Sequence, residues 1–373
     1  MTCAGKLLIV SKDLESRGGV ANYYRLLLEK SFRESIPIAH TAIGSRSTDY
    51  YCKGKWTIPY MRLYVNDILR FITALSKDRG IGIVMLNPSL IPVPLLRDGI
   101  LLLLSKLLNR KVIFFIRGWD LEYANTLGGK RVLRTIIACL VSRSDRILVL
   151  ANKFKNRLCE WGVPEELILI TRTMFDGDLV NRRYDRTGAV IRFLFLSRIS
   201  ESKGIREIIE AAAFLRREGY DFELTFVGFG KDEDSVVRLK AFATEQGVAE
   251  KATFKGFLDG QKKYDEYATA DVFLLPSYSE GCPNSVLEAM ASGLFIICTP
   301  VGALSEVVQD CVNGRIVKAR DAGDLADKMR WAIENVEEVR RLGRLNVGYA
   351  FQNFEAGVII EQMKEIYREI LSN

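Results

Sequence analysis

The sequence has very little histidine and no closely paired cysteines of the kind that bind metal. His40 is the single histidine, and the seven cysteines show no C-x-x-C spacing. Zinc clusters of Cys and His need several such ligands at short spacing. The composition therefore excludes a zinc cluster of this kind, and we expect reduced thiols that mostly fill the interior.

Long apolar runs are also missing. A membrane-spanning helix needs about 18 apolar residues in succession. The longest apolar runs here, such as Ile100 to Leu104, are far shorter. The first residues, Met1 to Val10, lack the cleavage pattern of a secretory signal. We expect a cytoplasmic protein, and a peripheral position on the inner face of the cytoplasmic membrane stays open.

Two further binding signatures are absent. No G-x-G-x-x-G follows the first predicted strand with an acidic residue about twenty positions later, which argues against a nicotinamide-dependent oxidoreductase. No zinc finger or RNA-binding signature is present, so we expect no nucleic-acid partner.

Positive charge is concentrated in the first half of the chain. Residues 1–186 hold 30 Lys and Arg against 17 Asp and Glu, a net charge of +13, while residues 187–373 hold 23 against 29, a net charge of −6. A basic half suits an anionic membrane surface or a phosphorylated substrate, and an ordinary solvated surface is the alternative. The leucine-rich segment 91–110, with Arg97, Lys106 and Arg110, indicates either an interfacial helix or a buried helix with a polar edge, and we favour the second.

The chain length and the alternation of elements predict two α/β domains. A chain of 373 residues, 48% of them apolar, is too long to fold around the core of one ordinary domain. Short apolar runs alternate with amphipathic stretches, which is typical of parallel sheets with crossover helices. We predict two doubly wound, Rossmann-like domains facing each other across a cleft. The first covers 1–186 and receives a C-terminal helix at 354–373, and the second covers 187–353.

The segment from Ser279 to Gly293 is the most informative motif. Pro283 suits the first position of a helix, and Gly293 is placed to end that helix. Glu280 precedes the helix and Glu288 lies on it, so two carboxylates stand at a fixed interval around a helix start. A carboxylate accepts vicinal hydroxyls well, and a helix N-terminus favours phosphate. The pattern indicates a sugar-nucleotide site, and an ordinary polar helix edge is the alternative.

Two strand–helix loops carry further candidate residues. Gly18-Gly19 opens a helix after the first strand and would let backbone N–H groups approach an anion or a sugar, although such pairs are often only structural. Arg198 and Lys203 project two cations from one loop, which suits a diphosphate and the charge that builds on a leaving group. Gly228, in a glycine turn after the next strand, allows close approach to a ligand.

Two acidic pairs have the spacing of Mg²⁺ ligands. These are Asp232 with Asp234, and Asp176 with Asp178. The first pair fits better as the negatively charged first turn of a helix, and the second lies in the predicted linker. We expect no metal and no other cofactor.

These motifs together resemble the group-1, or family four, retaining glycosyltransferases of GT-B architecture. The matching segments are Ser197-Arg198 with Lys203-Gly204, Val227-Gly228-x-Gly230, Pro276-Ser277-x-x-Glu280-Gly281, Pro283-Asn284, Glu288-Ala289-Met290-Ala291-x-Gly293 and Thr299-Pro300-Val301-Gly302. The resemblance is close over residues 192–317 and loose elsewhere. It implies a donor sugar nucleotide bound mainly by the second domain, an acceptor bound mainly by the first, and a C-terminal helix that returns to the first domain.

The resemblance also implies roles for individual residues. Lys203 and Arg198 would grip the diphosphate, Glu288 would hold the ribose hydroxyls, and Glu280 would contact the donor sugar. The candidate catalytic residues are Glu280, Arg198 and Lys203. The candidate donor-binding residues are Gly18, Gly19, Arg117, Arg198, Lys203, Gly228, Gly281, Cys282, Pro283, Asn284, Ser285 and Glu288.

Three positions depart from the family pattern. Many relatives carry a histidine near the donor sugar where this chain has Arg117 in the segment 115–120, and an arginine stays charged and is no ordinary base. Met174 and its neighbours replace a usual Asn-Gly pair that leads into the linker. Cys282 replaces a common aromatic residue in the predicted sugar pocket.

The sequence thus predicts a metal-independent, retaining transferase. It would move a hexose from a UDP- or GDP-sugar to a glycan or lipid-linked glycan in cell-surface polysaccharide synthesis, such as lipopolysaccharide or capsule. Departure and attack on the same face of the sugar are favoured over a glycosyl-enzyme intermediate. The alternative is a catalytically silent sugar-nucleotide-binding homologue or regulatory partner.

Overall fold

A computed structural model describes residues 5–30, 36–44, 58–119, 121–181, 188–230 and 232–372. The chain divides into two compact units, one of Met1–Thr173 with Ala356–Asn373 and one of Met174–Glu355. The boundary predicted after Arg186 lies outside the described residues. The second unit begins earlier because Phe175 is buried, pairs with Glu355 and packs edge-on against Phe351.

The first unit contains a six-stranded parallel sheet in the order β2-β1-β3-β5-β7-β8. The strands of this unit are β1 (Lys6–Ser11), β2 (Ile38–Ala42), β3 (Ile81–Leu86), β4 (Ser89–Leu90), β5 (Lys111–Phe115), β6 (Gly118–Trp119), β7 (Arg146–Val149) and β8 (Ile168–Ile170). Strands β4 and β6 form a separate parallel pair. The central strands β1 and β3 are buried at every residue but one each, as expected for a parallel sheet covered on both faces.

Helices connect these strands. They are α1 (Gly19–Glu29), α2 (Ile58–Lys77), α3 (Pro92–Leu107), α4 (Leu121–Gly128), α5 (Arg131–Val141) and α6 (Asn152–Glu160). Among the described helices, none combines the length and the apolar content needed to cross a membrane.

The second unit repeats this architecture with a parallel sheet in the order β11-β10-β9-β12-β13-β14. Its strands are β9 (Ile191–Leu196), β10 (Phe222–Val227), β11 (Ala252–Phe254), β12 (Val272–Leu275), β13 (Phe295–Cys298) and β14 (Gly314–Ile316). Its helices are α7 (Ile205–Arg217), α8 (Glu233–Glu245), α9 (Gly260–Thr269), α10 (Asn284–Ala291), α11 (Leu304–Val307), α12 (Ala322–Glu334) and α13 (Val336–Phe354). Two doubly wound α/β units are therefore present, as the alternation of elements predicts.

The C-terminal helix α14 (Ala356–Ser372) belongs to the first unit. Its buried side chains include Ile359, Met363 and Tyr367, and the Tyr367 hydroxyl donates to the carbonyl of Gly5. These apolar side chains form the packed face of the helix. The helix starts after Glu355, whose extended backbone separates it from α13.

Candidate functional site

The predicted turn and helix lie in the second unit, after strand β12. Helix α10 begins at Asn284, so Pro283 occupies the N-cap position and not the first helical position. Gly293 adopts a φ of 78°, and its N–H donates to the Met290 carbonyl, so this glycine ends the helix as predicted. Gly281, Cys282, Pro283, Asn284 and Ser285 are all half-buried, so the turn keeps some exposure at the helix start.

Glu280 is held in this turn by two donors. Nζ of Lys203 lies 2.5 Å from Oε1 of the carboxylate, and the Ser277 hydroxyl donates to the same oxygen at 2.8 Å. The Glu280 and Lys203 side chains are only 9% and 11% exposed. The structure therefore brings the predicted catalytic carboxylate and one predicted phosphate-binding cation into direct contact.

The backbone of the Lys203 loop fixes this contact. Gly204 has a φ of 72°, and a Cβ on it would lie 2.3 Å from the Pro276 carbonyl oxygen, so only glycine fits. The Tyr278 N–H donates to the Ser202 carbonyl at 2.9 Å. The loop after β9 and the loop after β12 are thus packed against each other at the carboxyl ends of adjacent strands, where ligands bind in such sheets.

A second turn supports Glu280 from behind. Gly302 has a φ of 57°, and a Cβ there would lie 2.2 Å from the Glu280 carbonyl oxygen. The Ala303 N–H donates to the Gly281 carbonyl at 2.7 Å. The hydroxyl of Thr299 donates to the Ser277 carbonyl at 2.5 Å. The motif 299–302 therefore acts as a backbone brace for the Glu280 turn.

Arg198 and Gly228 lie at the ends of neighbouring strands β9 and β10. Arg198 is half-buried, and the next residue, Ile199, donates its N–H to the Phe229 carbonyl. Gly228 approaches the Ser197 carbonyl so closely that a Cβ would lie 1.8 Å from its oxygen. Gly228 therefore lies tightly against the adjacent strand end, and its approach to a ligand stays a prediction.

Glu288 is 2% exposed and has partners that the sequence did not reveal. Its Oε1 accepts from Nζ of Lys263 at 2.7 Å, and its Oε2 accepts from the Tyr267 hydroxyl at 3.0 Å. Burial, with the Glu288 charge adding to it, raises the pKa of Tyr267 well above its usual value. Both partners lie on helix α9, where Lys263 and Tyr267 share one face at a spacing of four residues.

The helix start has one further contact within the second unit. The side-chain amide of Asn284 donates to the Met174 carbonyl at 3.3 Å. Met174 is fully buried. Met174, which departs from the family pattern in the linker, is therefore a core residue. Its carbonyl accepts a hydrogen bond from the start of the helix.

In the first unit, Gly18 and Gly19 stand at the exposed start of helix α1. Gly18 is the N-cap with a φ of 121°, and a Cβ there would meet no atom within 4 Å. The open space at this helix start leaves room for the predicted close approach of an anion or a sugar. The described contacts place no side chain against Gly18.

Arg117 lies after strand β5 and is 9% exposed. Its guanidinium carbon stands 3.8 Å from the centre of the Tyr23 ring and 5.0 Å from that of Phe115. Nη2 donates to the Thr173 hydroxyl at 3.4 Å, whereas Nη1 and the Tyr23 hydroxyl are buried with no hydrogen-bond partner in the described part of the chain. Such orphaned donors suit an anion.

The two acidic pairs have local roles. Asp232 caps helix α8 in a reciprocal arrangement with Ser235, as the first-turn interpretation predicts. Asp176 accepts the Asp178 N–H at 3.2 Å in a short turn. Over the described residues, no group of three or more His, Cys, Asp or Glu side chains is arranged to hold a metal ion.

The buried thiol nearest this chemistry is Cys298. Burial raises its pKa, and the Glu280 charge acts in the same direction. This thiol therefore stays protonated and inert, whereas Cys282 is a reduced, half-buried thiol in the turn itself.

The sequence of the second unit matches a known family. A sequence profile described as "Glycosyl transferases group 1" matches residues 185–345. Residues 185–345 are therefore similar to the group 1 glycosyltransferases. The brace, the Lys203 loop and the Glu280 turn described above all lie within these matched residues.

Curated relatives are similar over part of their length. The chain is 28% identical over 194 residues to the amylovoran biosynthesis glycosyltransferase AmsK of Erwinia amylovora, covering 50% of this chain and 47% of that protein. It is 27% identical over 242 residues to the putative colanic acid biosynthesis glycosyltransferase WcaL of Salmonella typhimurium, covering 62% and 58%. The chain thus spans about half the length of these relatives.

Solved structures share the fold across the chain. Sucrose-phosphate synthase of Thermosynechococcus elongatus aligns with a TM-score of 0.79 at 18% identity, covering 98% of this chain and 99% of the other. Anabaena HepE in complex with UDP and glucose aligns with a TM-score of 0.71 at 16% identity, covering 97% and 99%. The chain has the GT-B fold of these glycosyltransferases.

Proposed function

We propose that the protein is a retaining, metal-independent glycosyltransferase. It moves a hexose from a nucleoside-diphosphate sugar to a glycan or lipid-linked glycan in cell-surface polysaccharide synthesis. The observation that carries the proposal is the contact between Lys203 and Glu280 at the start of α10, with buried Glu288 on the same helix. Names of relatives concerned with amylovoran and colanic acid, and UDP-glucose in a HepE structure, support the same class.

Charge supplied by side chains supports a reaction without metal. In this proposal Arg198 and Lys203 bind the diphosphate and neutralise the charge that develops as it leaves. A cation about 4 Å from a phosphate contributes roughly 4 kcal/mol at an effective dielectric of 20. Binding to the diphosphate draws Lys203 away from Glu280, whose carboxylate is then available to the donor sugar.

Glu280 stabilises the positive charge of the oxocarbenium-like transition state in this scheme. The acceptor attacks from the face that the diphosphate leaves, and the departing diphosphate takes the acceptor proton. Glu288 holds the ribose hydroxyls, and Gly281 to Ser285 line the donor at the helix start. Gly18, Gly19 and Arg117 in the first unit bind anionic groups of the substrates.

Nucleotide release tests the proposal. Purified protein is incubated with UDP- and GDP-sugars in the presence of EDTA, and release of UDP or GDP is measured with and without acceptor. We expect release that EDTA leaves unchanged, that Lys203→Ala abolishes, and that Glu280→Gln lowers far more than it lowers nucleotide affinity. A product of the same anomeric configuration as the donor, read by NMR, identifies retention.

Two outcomes contradict parts of this scheme. Tight donor binding without release under any acceptor identifies the silent homologue. A loss of nucleotide affinity alone in Glu280→Gln removes the transition-state role assigned to that carboxylate.

The protein is further proposed to be cytoplasmic and to meet an anionic membrane surface through its basic first half.

A further inference from the structure

Three helices of the first unit share one side of its sheet. Helix α2 joins β2 to β3, helix α3 joins β3 to β5, and α5 completes the connection from β5 to β7. All three connections advance in one direction along the sheet, so right-handed crossovers place the helices in one layer. Helices α3 and α5 pack closely, because a Cβ on Gly99 would lie 2.6 Å from Cδ2 of Leu140.

The outer edge of α3 is apolar. Leu96, Ile100, Leu103 and Leu107 are 52%, 37%, 46% and 77% exposed, at a spacing that forms one continuous stripe along the helix. The opposite face is buried. The favoured prediction of a buried helix with a polar edge is therefore wrong, since Arg97 is buried while Leu96, Leu103 and Leu107 are exposed.

The neighbouring helices extend this apolar stripe. Their exposed apolar side chains are Val65, Leu69 and Ile72 on α2, and Val132, Leu133 and Ile136 on α5. With Leu108 and the α3 stripe they make up 11 of the 17 large hydrophobic side chains that are exposed in the described residues. We call these 11 side chains the apolar face.

The exposed charges on these three helices have one sign, and the half-buried carboxylates just beyond the helices, Asp78 and Asp145, are paired with Lys6 and Lys106. The only acidic residues of α2, α3 and α5 are Asp67 and Asp98, and both are buried against Arg97. Exposed cations border the face on these helices and at the ends of α5. They are Arg62, Arg70, Lys77, Lys130, Arg131 and Arg143.

We propose that the apolar face binds directly to an anionic membrane surface. Leucines of the α3 stripe enter the boundary between headgroups and acyl chains, and the bordering cations contact anionic headgroups, as in interfacial helices. A second copy of the chain is a poorer partner, because its equivalent face would oppose cations to cations. The inference rests on the membrane contact proposed above and assigns the surface that makes it, and its test needs no nucleotide sugar and is independent of the proposed transfer reaction.

Vesicle flotation of the full chain tests this proposal. The vesicles contain phosphatidylcholine alone or phosphatidylcholine with phosphatidylglycerol. We expect binding to the anionic vesicles only, weakened by added salt. The double variant Leu103→Glu/Leu107→Glu should lose at least about tenfold in partition coefficient, and Lys130→Ala and Arg131→Ala about fivefold each.

Leu345→Glu is the matched control, because Leu345 is 57% exposed on α13 of the second unit. It should bind vesicles like the wild type, and all variants should keep the wild-type melting temperature. Absence of wild-type binding to anionic vesicles overturns the proposal, and so does an equal loss in Leu345→Glu. Concentration-dependent dimerisation that Leu103→Glu/Leu107→Glu abolishes would assign the face to a second copy instead.

Discussion

Lys203 and Glu280 form an ion pair at the carboxyl ends of strands β9 and β12, with Nζ 2.5 Å from Oε1. Both side chains are about nine-tenths buried, so each compensates a charge that would be costly to bury alone. In the proposed reaction the diphosphate of the donor would compete with Glu280 for the same ammonium group. Stability and the proposed substrate binding would then both depend on Lys203.

Removing one partner of this pair should destabilise the second unit. Lys203→Ala leaves the Glu280 carboxylate buried with Ser277 as its remaining donor, and we expect a loss of about 3 kcal/mol in the free energy of unfolding. Urea unfolding of both single variants and of Lys203→Ala/Glu280→Ala should give a coupling energy of about 1–3 kcal/mol. The exposed pair of Lys251 and Asp221 is the control, and Lys251→Ala should leave the unfolding midpoint unchanged. The pairing would be contradicted if the loss in the double variant equalled the sum of the losses in the two single variants.

The partner of Glu288 can be tested in the same way. Lys263→Met should lower the free energy of unfolding by about 3 kcal/mol, because it leaves Glu288 buried without a counter-charge. Lys262→Met, at an exposed neighbouring position, should have no measurable effect. Glu288→Gln should weaken UDP or GDP binding about tenfold in calorimetry, since a neutral amide accepts the ribose hydroxyls less well. Unchanged nucleotide affinity would remove the ribose role from Glu288.

The brace behind Glu280 predicts a contrast between two glycines. Gly302→Ala should cost more than about 2 kcal/mol, because its φ is positive and its Cβ would collide with the Glu280 carbonyl oxygen. Gly348→Ala lies in helix α13 with no atom within 4 Å of the new Cβ, and should stabilise by about 0.5–1 kcal/mol. Thermal unfolding measures both. Equal effects would show that the turn yields to the added methyl group.

Two arginines of equal burial should respond differently to the same change. Arg97→Met leaves Asp67 and Asp98 buried without their cation, and we expect a loss of about 3–5 kcal/mol. Arg117→Met removes a cation that stands over aromatic rings, and should change stability by about 1 kcal/mol or less. Arg117→Met should also weaken binding of the anionic substrate group that we propose Arg117 binds. Normal kinetics in a stable Arg117→Met protein would exclude that role.

His40 should make stability depend on pH in a defined direction. Burial lowers the pKa of His40, so the folded state favours the neutral ring, whose Nε2 lies 2.9 Å from the Ser11 hydroxyl. The stabilisation is complete above the unfolded pKa of about 6.5 and is lost as the pH falls through the folded pKa. His40 is the single histidine. The urea midpoint of the wild type should therefore decrease as the pH is lowered from 7.5 to 5.5. His40→Gln should show a much smaller fall, and an identical fall would assign it to other groups.

Much of the fold was predictable because buried parallel strands are continuous apolar runs. Strands β1, β3, β5 and β7 are recognised in this way, and so are β9, β10, β12 and β13. Of the edge strands, β11 is recognised, whereas β2, β8 and β14 are not, because β2 is only half-buried and β8 and β14 are three residues long. The two compact units divide at Met174, where the pairing of Phe175 with Glu355 joins positions far apart in the chain, and no local pattern shows such a pairing.

The candidate site shows the same division. Motif spacing identified Glu280, Glu288, Arg198 and Lys203, because loops after parallel strands converge at one edge of a sheet. Lys263 was missed, because a lysine and a tyrosine on an amphipathic helix carry no mark of the carboxylate that they meet. The leucines of α3 were assigned to the interior, since apolar residues alone do not indicate which of two faces is covered.

The sequence by itself determined the alternating α/β architecture, the order of the loops and the residue types of the candidate site, because these depend on local periodicity and spacing. Only the tertiary structure decided which charges compensate each other, such as Lys203 with Glu280 and Lys263 with Glu288, and which apolar side chains remain exposed. Burial and ion pairing depend on neighbours distant in sequence, and local patterns do not contain that information.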